Sequence, residues 1–113
     1  MKSIMVINSK GGSGKTTVSV NLAAYCALYG FQTTLVDLDP QESSTQWLSQ
    51  RPASKAKIKG TKNFNKPLKK SKNSVVIYDV PAAIYGARLD SYVKKADMII
   101  VPVLPSPIDM KAA

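Results

Sequence analysis

Apolar positions along this chain fall into short unbroken runs separated by segments with helical spacing. "SIMVIN" at 3–8 is a continuous apolar run of strand length and predicts a buried strand. From Lys15 to Tyr29, "KTTVSVNLAAYCALY" is rich in alanine and leucine and predicts a helix, with Gly30 placed as its C-terminal cap. "QTTLVDLDP" predicts a second strand that ends in acids and a proline, and "SSTQWLSQ" at 43–50 a short helix with Ser43 or Ser44 as N-cap. "SVVIYDV" at 74–80 and "DMIIVPV" at 97–103 predict a third and a fourth strand. Between them residues 84–95 predict a helix, with Leu89, Tyr92 and Val93 on one side. "SPIDMKAA" opens like another helix, with Ser106 at the N-cap and Pro107 at the first helical position, and stops in mid-element. Strands alternating with helices predict a parallel sheet covered on both faces, an α/β fold of three layers. The 113 residues suffice for one domain, cut short at its C-terminal side.

Charge changes this picture at one place. The chain carries 16 basic and 7 acidic residues, a net charge of +9. Segment 51–72 holds nine of the cations and no acid. With only Ile58, Phe64 and Leu68 as larger apolar residues, 51–73 is expected to be a long surface loop or insertion. Composition excludes other classes. Histidine is absent and Cys26 is the single cysteine, so neither a His/Cys zinc site nor an intrachain disulfide framework can form. Cys26 is expected to be a buried small residue on the first helix, and Trp47 to pack in a core or interface. No apolar run reaches the roughly 20 residues of a membrane helix. With no secretory signal read, cytoplasm is the expected compartment.

Candidate chemistry concentrates in "NSKGGSGKTT", residues 8–17, between the first strand and the first helix. Glycines let the backbone curl so that several N–H groups face one anion, and the helix N-terminus adds partial positive charge. In such a loop Lys15 reaches the terminal phosphates and the Thr16 hydroxyl binds Mg²⁺. Gly11, Gly12, Ser13, Gly14, Lys15, Thr16 and Thr17 are the expected nucleotide-binding residues. Ser9 stands where the general phosphate-loop pattern has its first glycine, so the motif met is K-G-G-x-G-K-T, with an added Lys10.

On these residues the chain resembles the ParA/MinD-type deviant Walker A ATPases. "LVDLDPQ" (35–41) is similar to the switch segment of the ParA branch, "VVIYDVPA" (75–82) to the Walker B strand, and "IIVPVLPSPIDMKAA" (99–113) to the strand and helix start that follow in partition proteins. The resemblance covers nearly all the chain except 51–73. It implies a P-loop ATP hydrolase that uses ATP and Mg²⁺ and forms a homodimer on binding ATP. A ParB-like or small ribbon-type partner would stimulate it, in plasmid or chromosome partitioning. It assigns Lys10, Lys15 and Asp39 to catalysis: Lys10 reaches the partner subunit's phosphates, and Asp39 orients the attacking water. Asp79 holds Mg²⁺ through water, the Walker B task. Asp37 either lies near the Mg²⁺ shell or merely caps the turn before Pro40.

Two readings of the whole stay open. One is a partition ATPase. The other is a nucleotide-binding module with little turnover, or a MinD-like accessory ATPase that positions another cargo. Lys55, Lys57, Lys59, Lys62, Lys66, Lys69, Lys70 and Lys72 are either non-specific DNA contacts, which would associate the protein with the nucleoid, or a solvated loop.

Overall fold

A computed structural model describes residues 2–7, 15–63, 72–81 and 87–102, with the backbone alone for Lys15 and for 87–89. Five parallel strands form one sheet: β1 (Lys2–Val6), β2 (Gln32–Asp37), β3 (Ile58–Thr61), β4 (Ser74–Asp79) and β5 (Met98–Ile100). Their spatial order is β3-β2-β4-β1-β5. Among the described residues three helices accompany them: α1 (Lys15–Leu28), α2 (Ser43–Ser49) and α3 (Ala87–Lys94). β4 lies between β2 and β1, and all six of its residues are buried. That burial explains the unbroken apolar run "VVIY": a central parallel strand has no wet face.

Alternation along the strands divides the core into two layers. On one face Val6, Leu35, Val75 and Ile77 meet Val20, Ala23 and Cys26 of α1, which recur every third residue and so form one helix stripe. Trp47 and Leu48 of α2 pack against the same layer. On the other face Met5, Val36, Val76, Tyr78 and Val80 form the second layer, joined by Tyr92 of α3 and by Ala96. The expected three-layer α/β architecture is therefore present. Burial pushes the Cys26 thiol above its ordinary pKa, in keeping with a packing role. Val93, expected beside Tyr92, is instead exposed at the helix surface.

α1 ends as Gly30 predicts. Gly30 has φ +90°, its N–H bonds to the Ala27 carbonyl, and the Phe31 N–H reaches back to the Cys26 carbonyl. This is a Schellman motif, and only glycine adopts that angle without strain.

Two expectations need correction. The basic segment 51–73 is not one continuous loop, because it contains β3. Residues 58–61 pair in parallel with 33–36 of β2, and Ile58 packs on the first core layer. The sheet thus has a fifth strand, which covers the outer edge of β2. Its sequence "IKGT" offers one apolar residue, so hydropathy gives no signal for it. The first turn of α2 is also capped differently. Glu42 is the N-cap residue, in left-handed conformation at φ 54°, and makes no side-chain cap bond, while Ser44 is fully buried within the helix. The capping oxygen comes from Asp37, eight residues upstream.

Candidate functional site

The C-terminal ends of the parallel strands gather the acids. Asp37 closes β2 and Asp79 closes β4, and the two are register partners on adjacent strands. Such strands lie about 4.8 Å apart, and paired residues face the same way. Both carboxylates therefore project on the face of Leu35 and Ile77, the face that carries α1. Asp79 is fully buried and Asp37 nearly so. Val6, the last residue of β1, is the register partner of Asp79 on its other side. The chain that leaves β1 there enters α1 at Lys15, so the first turn of α1 stands at this same edge of the sheet. α1 has no acid in its first turn, which leaves the partial positive charge of its N-terminus uncancelled by its own side chains. Thr16 is half-buried in that turn and Thr17 is exposed.

Asp37 is held from two directions. One carboxylate oxygen accepts the Asp39 N–H at 3.1 Å, and the other accepts the Thr45 N–H at 2.9 Å and the Thr45 hydroxyl at 2.6 Å. It thus closes the turn before Pro40 and caps α2 at once. Asp39 is half-buried, and its carboxylate accepts the Gln41 N–H at 2.9 Å. Two successive aspartate turns thus fix the path "DLDPQ". Beside them an open depression of about 660 Å³ is lined by Asp37, Asp39, Glu42, Thr61 and Tyr92 among others. Its rim carries an ion pair between Lys62 and Glu42.

The structure thus places Asp37, Asp39, Asp79 and the start of α1 at the same edge of the sheet. Lys10, Gly11, Gly12, Ser13 and Gly14, the side chain of Lys15, and Lys66, Lys69 and Lys70 lie outside the described residues. The remaining lysines of the basic segment do not form one stripe. Lys62 sits at the carboxylate end, paired with Glu42. Lys57 and Lys59 belong to the start of β3, and Lys72 precedes β4, at the opposite end of the sheet. Thr45 went unnoticed in the sequence, since no local pattern links it to a carboxylate eight residues earlier.

The donor set suits a hard divalent cation. Two carboxylates and a threonine hydroxyl are oxygen ligands of the kind Mg²⁺ takes while keeping several waters. Among the described residues there is no cluster of three or more histidine, cysteine or acidic side chains that would form an all-protein metal cage. No helix among them is long and apolar enough to cross a membrane.

A five-stranded parallel sheet whose first strand leads into a helix facing strand-end carboxylates defines a P-loop-type nucleotide-binding fold. The family model described as "AAA domain" matches residues 1–113, and the chain belongs to this family of ParA-type P-loop ATPases. It is similar to the "Maintenance of carboxysome distribution protein A" of Gloeobacter kilaueensis, 37% identical over 95% of this chain and 51% of the relative. It is also similar to the protein of the same name in Halothiobacillus neapolitanus, 32% identical over 97% of this chain and 54% of the relative. A shorter match joins it to the "Chromosome-partitioning ATPase Soj" of Thermus thermophilus, 51% identical over 45% of this chain and 20% of the relative. The chain spans about half the length of these two carboxysome-distribution relatives.

Proposed function

We propose that this chain binds Mg²⁺-ATP at the C-terminal edge of its sheet and acts as a cargo-positioning ATPase of the ParA type. The observation that carries this reading is the in-register pair Asp37 and Asp79, set on the face of α1 where a helix begins without an acid in its first turn. Lys15 and the amides of 11–16 would hold the phosphates. Thr16 and Asp79 would hold Mg²⁺, with Asp37 beside them, and the ion would neutralise charge on the phosphate oxygens. Asp39, fixed by the Asp37 turn, would orient the attacking water. Lys10 would reach the nucleotide of a second copy, so the active form is a nucleotide-dependent homodimer. Two relatives that match nearly the whole chain carry names of carboxysome distribution, and a shorter match is named a chromosome-partitioning ATPase. Both describe the positioning of a large body, and this is the activity proposed here, with a partner protein stimulating turnover.

The coverage of about half of the two carboxysome-distribution relatives favours keeping a second reading, a nucleotide-binding module with little turnover. One experiment separates the two. Phosphate release is measured in Mg²⁺-ATP alongside light scattering, with Lys15→Ala and Asp39→Ala as controls. Turnover abolished by either substitution, with ATP-dependent doubling of mass, supports the ATPase. Saturable ATP binding without turnover above the Lys15→Ala background supports the module. Absence of ATP binding overturns both.

A further inference from the structure

The edge of the sheet opposite the carboxylates carries a second concentration of charge. The topology collects there Lys2 at the start of β1, Lys57 just before and Lys59 within the first half of β3, Lys72 two residues before β4, Lys94 at the end of α3 and Lys95 directly after it. All six are exposed. Among the described residues, the acid at this edge is Asp97, and its carboxylate already accepts the Ser3 N–H and hydroxyl. The row is therefore a net cationic strip that only the strand order creates, because its members are scattered from residue 2 to residue 95.

The strip borders a hollow whose lining mixes apolar side chains with polar ones, Gln32, Thr33, Thr34 and Ser74 among the latter. A depression of about 430 Å³ opens between the end of α1 and the starts of β2, β3 and β4, with Ala27, Phe31 and Val76 among its walls and Lys57 and Lys59 on its rim. Phe31 is 41% exposed there. The volume lies within the range of ordinary ligand clefts.

We propose that this edge is a docking surface for an acidic protein segment. Its carboxylates lie along the lysine row, and one apolar side chain sits against Phe31. Five strands span about 19 Å, which roughly six residues of extended peptide would cover. Charge complementarity selects an acidic partner and rejects a second copy of this chain, whose net charge is +9. The hollow argues against nucleic acid. A duplex lays phosphates on a surface and leaves the exposed Phe31 ring uncovered. A single strand needs successive aromatic platforms. Here Tyr25 and Tyr29 pack on each other, with ring centroids 4.6 Å apart, and among the residues that line the hollow Phe31 is the one aromatic. The surface is separate from the nucleotide reading, since Thr33 at the hollow is about 13 Å of strand away from Asp37.

The test is fluorescence anisotropy on the full chain with three labelled probes. They are a short glutamate-rich peptide with one central tryptophan, the same peptide with alanine in place of tryptophan, and a random-sequence DNA duplex. The tryptophan peptide is expected to bind saturably and to weaken as salt is raised. The double variant Lys57→Gln, Lys59→Gln, which alters only exposed side chains, should weaken it about tenfold. Phe31→Ser and the alanine peptide should each cost about fivefold. Thermal melting confirms that both variants remain folded, and Phe31→Leu should retain binding. Three results would each overturn the proposal: no saturable binding of the tryptophan peptide, equal binding of the alanine peptide, or duplex DNA that binds more tightly than the peptide and displaces it.

Discussion

Asp37 shows how one side chain serves two elements. Its carboxylate accepts N–H groups from the turn at Asp39 and from the first turn of α2, and takes the Thr45 hydroxyl as well. Removing it leaves half-buried donors without their acceptor and uncaps α2, so Asp37→Ala should cost about 1–2 kcal/mol in a denaturant titration. Thr45→Val keeps the amide bond and loses only the hydroxyl, and should cost about 1–2 kcal/mol. The sequence offered two roles for Asp37, and the structure exhibits the capping one. Its role near a metal belongs to the proposed function. Asp97 yields a pH prediction. The Ser3 N–H, and then the Ser3 hydroxyl, hold its carboxyl below the ordinary value of 3.8. A carboxyl whose folded pKa lies below its unfolded one stabilises the fold above the unfolded value and loses that contribution as pH falls through the folded value. Acid unfolding followed by circular dichroism should therefore show a shallower loss of stability below about pH 4 in Asp97→Asn than in the parent chain.

At the scale of elements, legibility followed apolar content. β1, β2 and β4 are buried in the sheet interior, and their runs of valine, isoleucine and leucine announce them. The start of α1 and its glycine stop were equally readable, because a Schellman cap needs a residue tolerant of φ +90°. β3 was not readable. An edge strand with one packed side chain can be built from "IKGT", since the pairing with β2 supplies what hydropathy does not. Its fit against α2 is nonetheless close. A Cβ on Gly60 would stand 2.7 Å from Cδ1 of Leu48, which itself packs on the core. Gly60→Val should force the Leu48 side chain into another rotamer and cost about 1 kcal/mol, read as a lowered melting temperature. The cap of α2 was missed for a related reason. Its oxygen comes from another element, whereas the serines at 43 and 44 invited a local reading.

For the whole molecule, strand order turns a sequence of scattered charges into two distinct ends. The acids Asp37, Asp39 and Asp79 share one edge of the sheet, and six lysines share the other. The sequence revealed the first grouping through "DLDP" and "IYDV" after apolar runs. It hid the second, because the basic run 51–72 drew attention to neighbours in sequence rather than in space. Among the described residues β5 forms the other border of the sheet, and Met98, Ile99 and Val101 stand exposed on or beside it. An apolar strand at a sheet edge invites pairing with another chain. Concentration-dependent association is expected in sedimentation without nucleotide, and Ile99→Lys should suppress it; association unchanged by that substitution would place the contact elsewhere. The account's central claim is that a nucleotide and its metal meet the strand-end carboxylates beside α1. Its most direct test is the Mg²⁺ dependence of equilibrium binding of a fluorescent ATP analogue. The parent chain should bind about tenfold more tightly with Mg²⁺ than with chelator, a difference of about 1.4 kcal/mol. In Asp79→Asn, verified as folded, that advantage should vanish while the metal-free affinity persists. Equal affinity with and without Mg²⁺ in the parent chain, or an undiminished Mg²⁺ effect in Asp79→Asn, would contradict it.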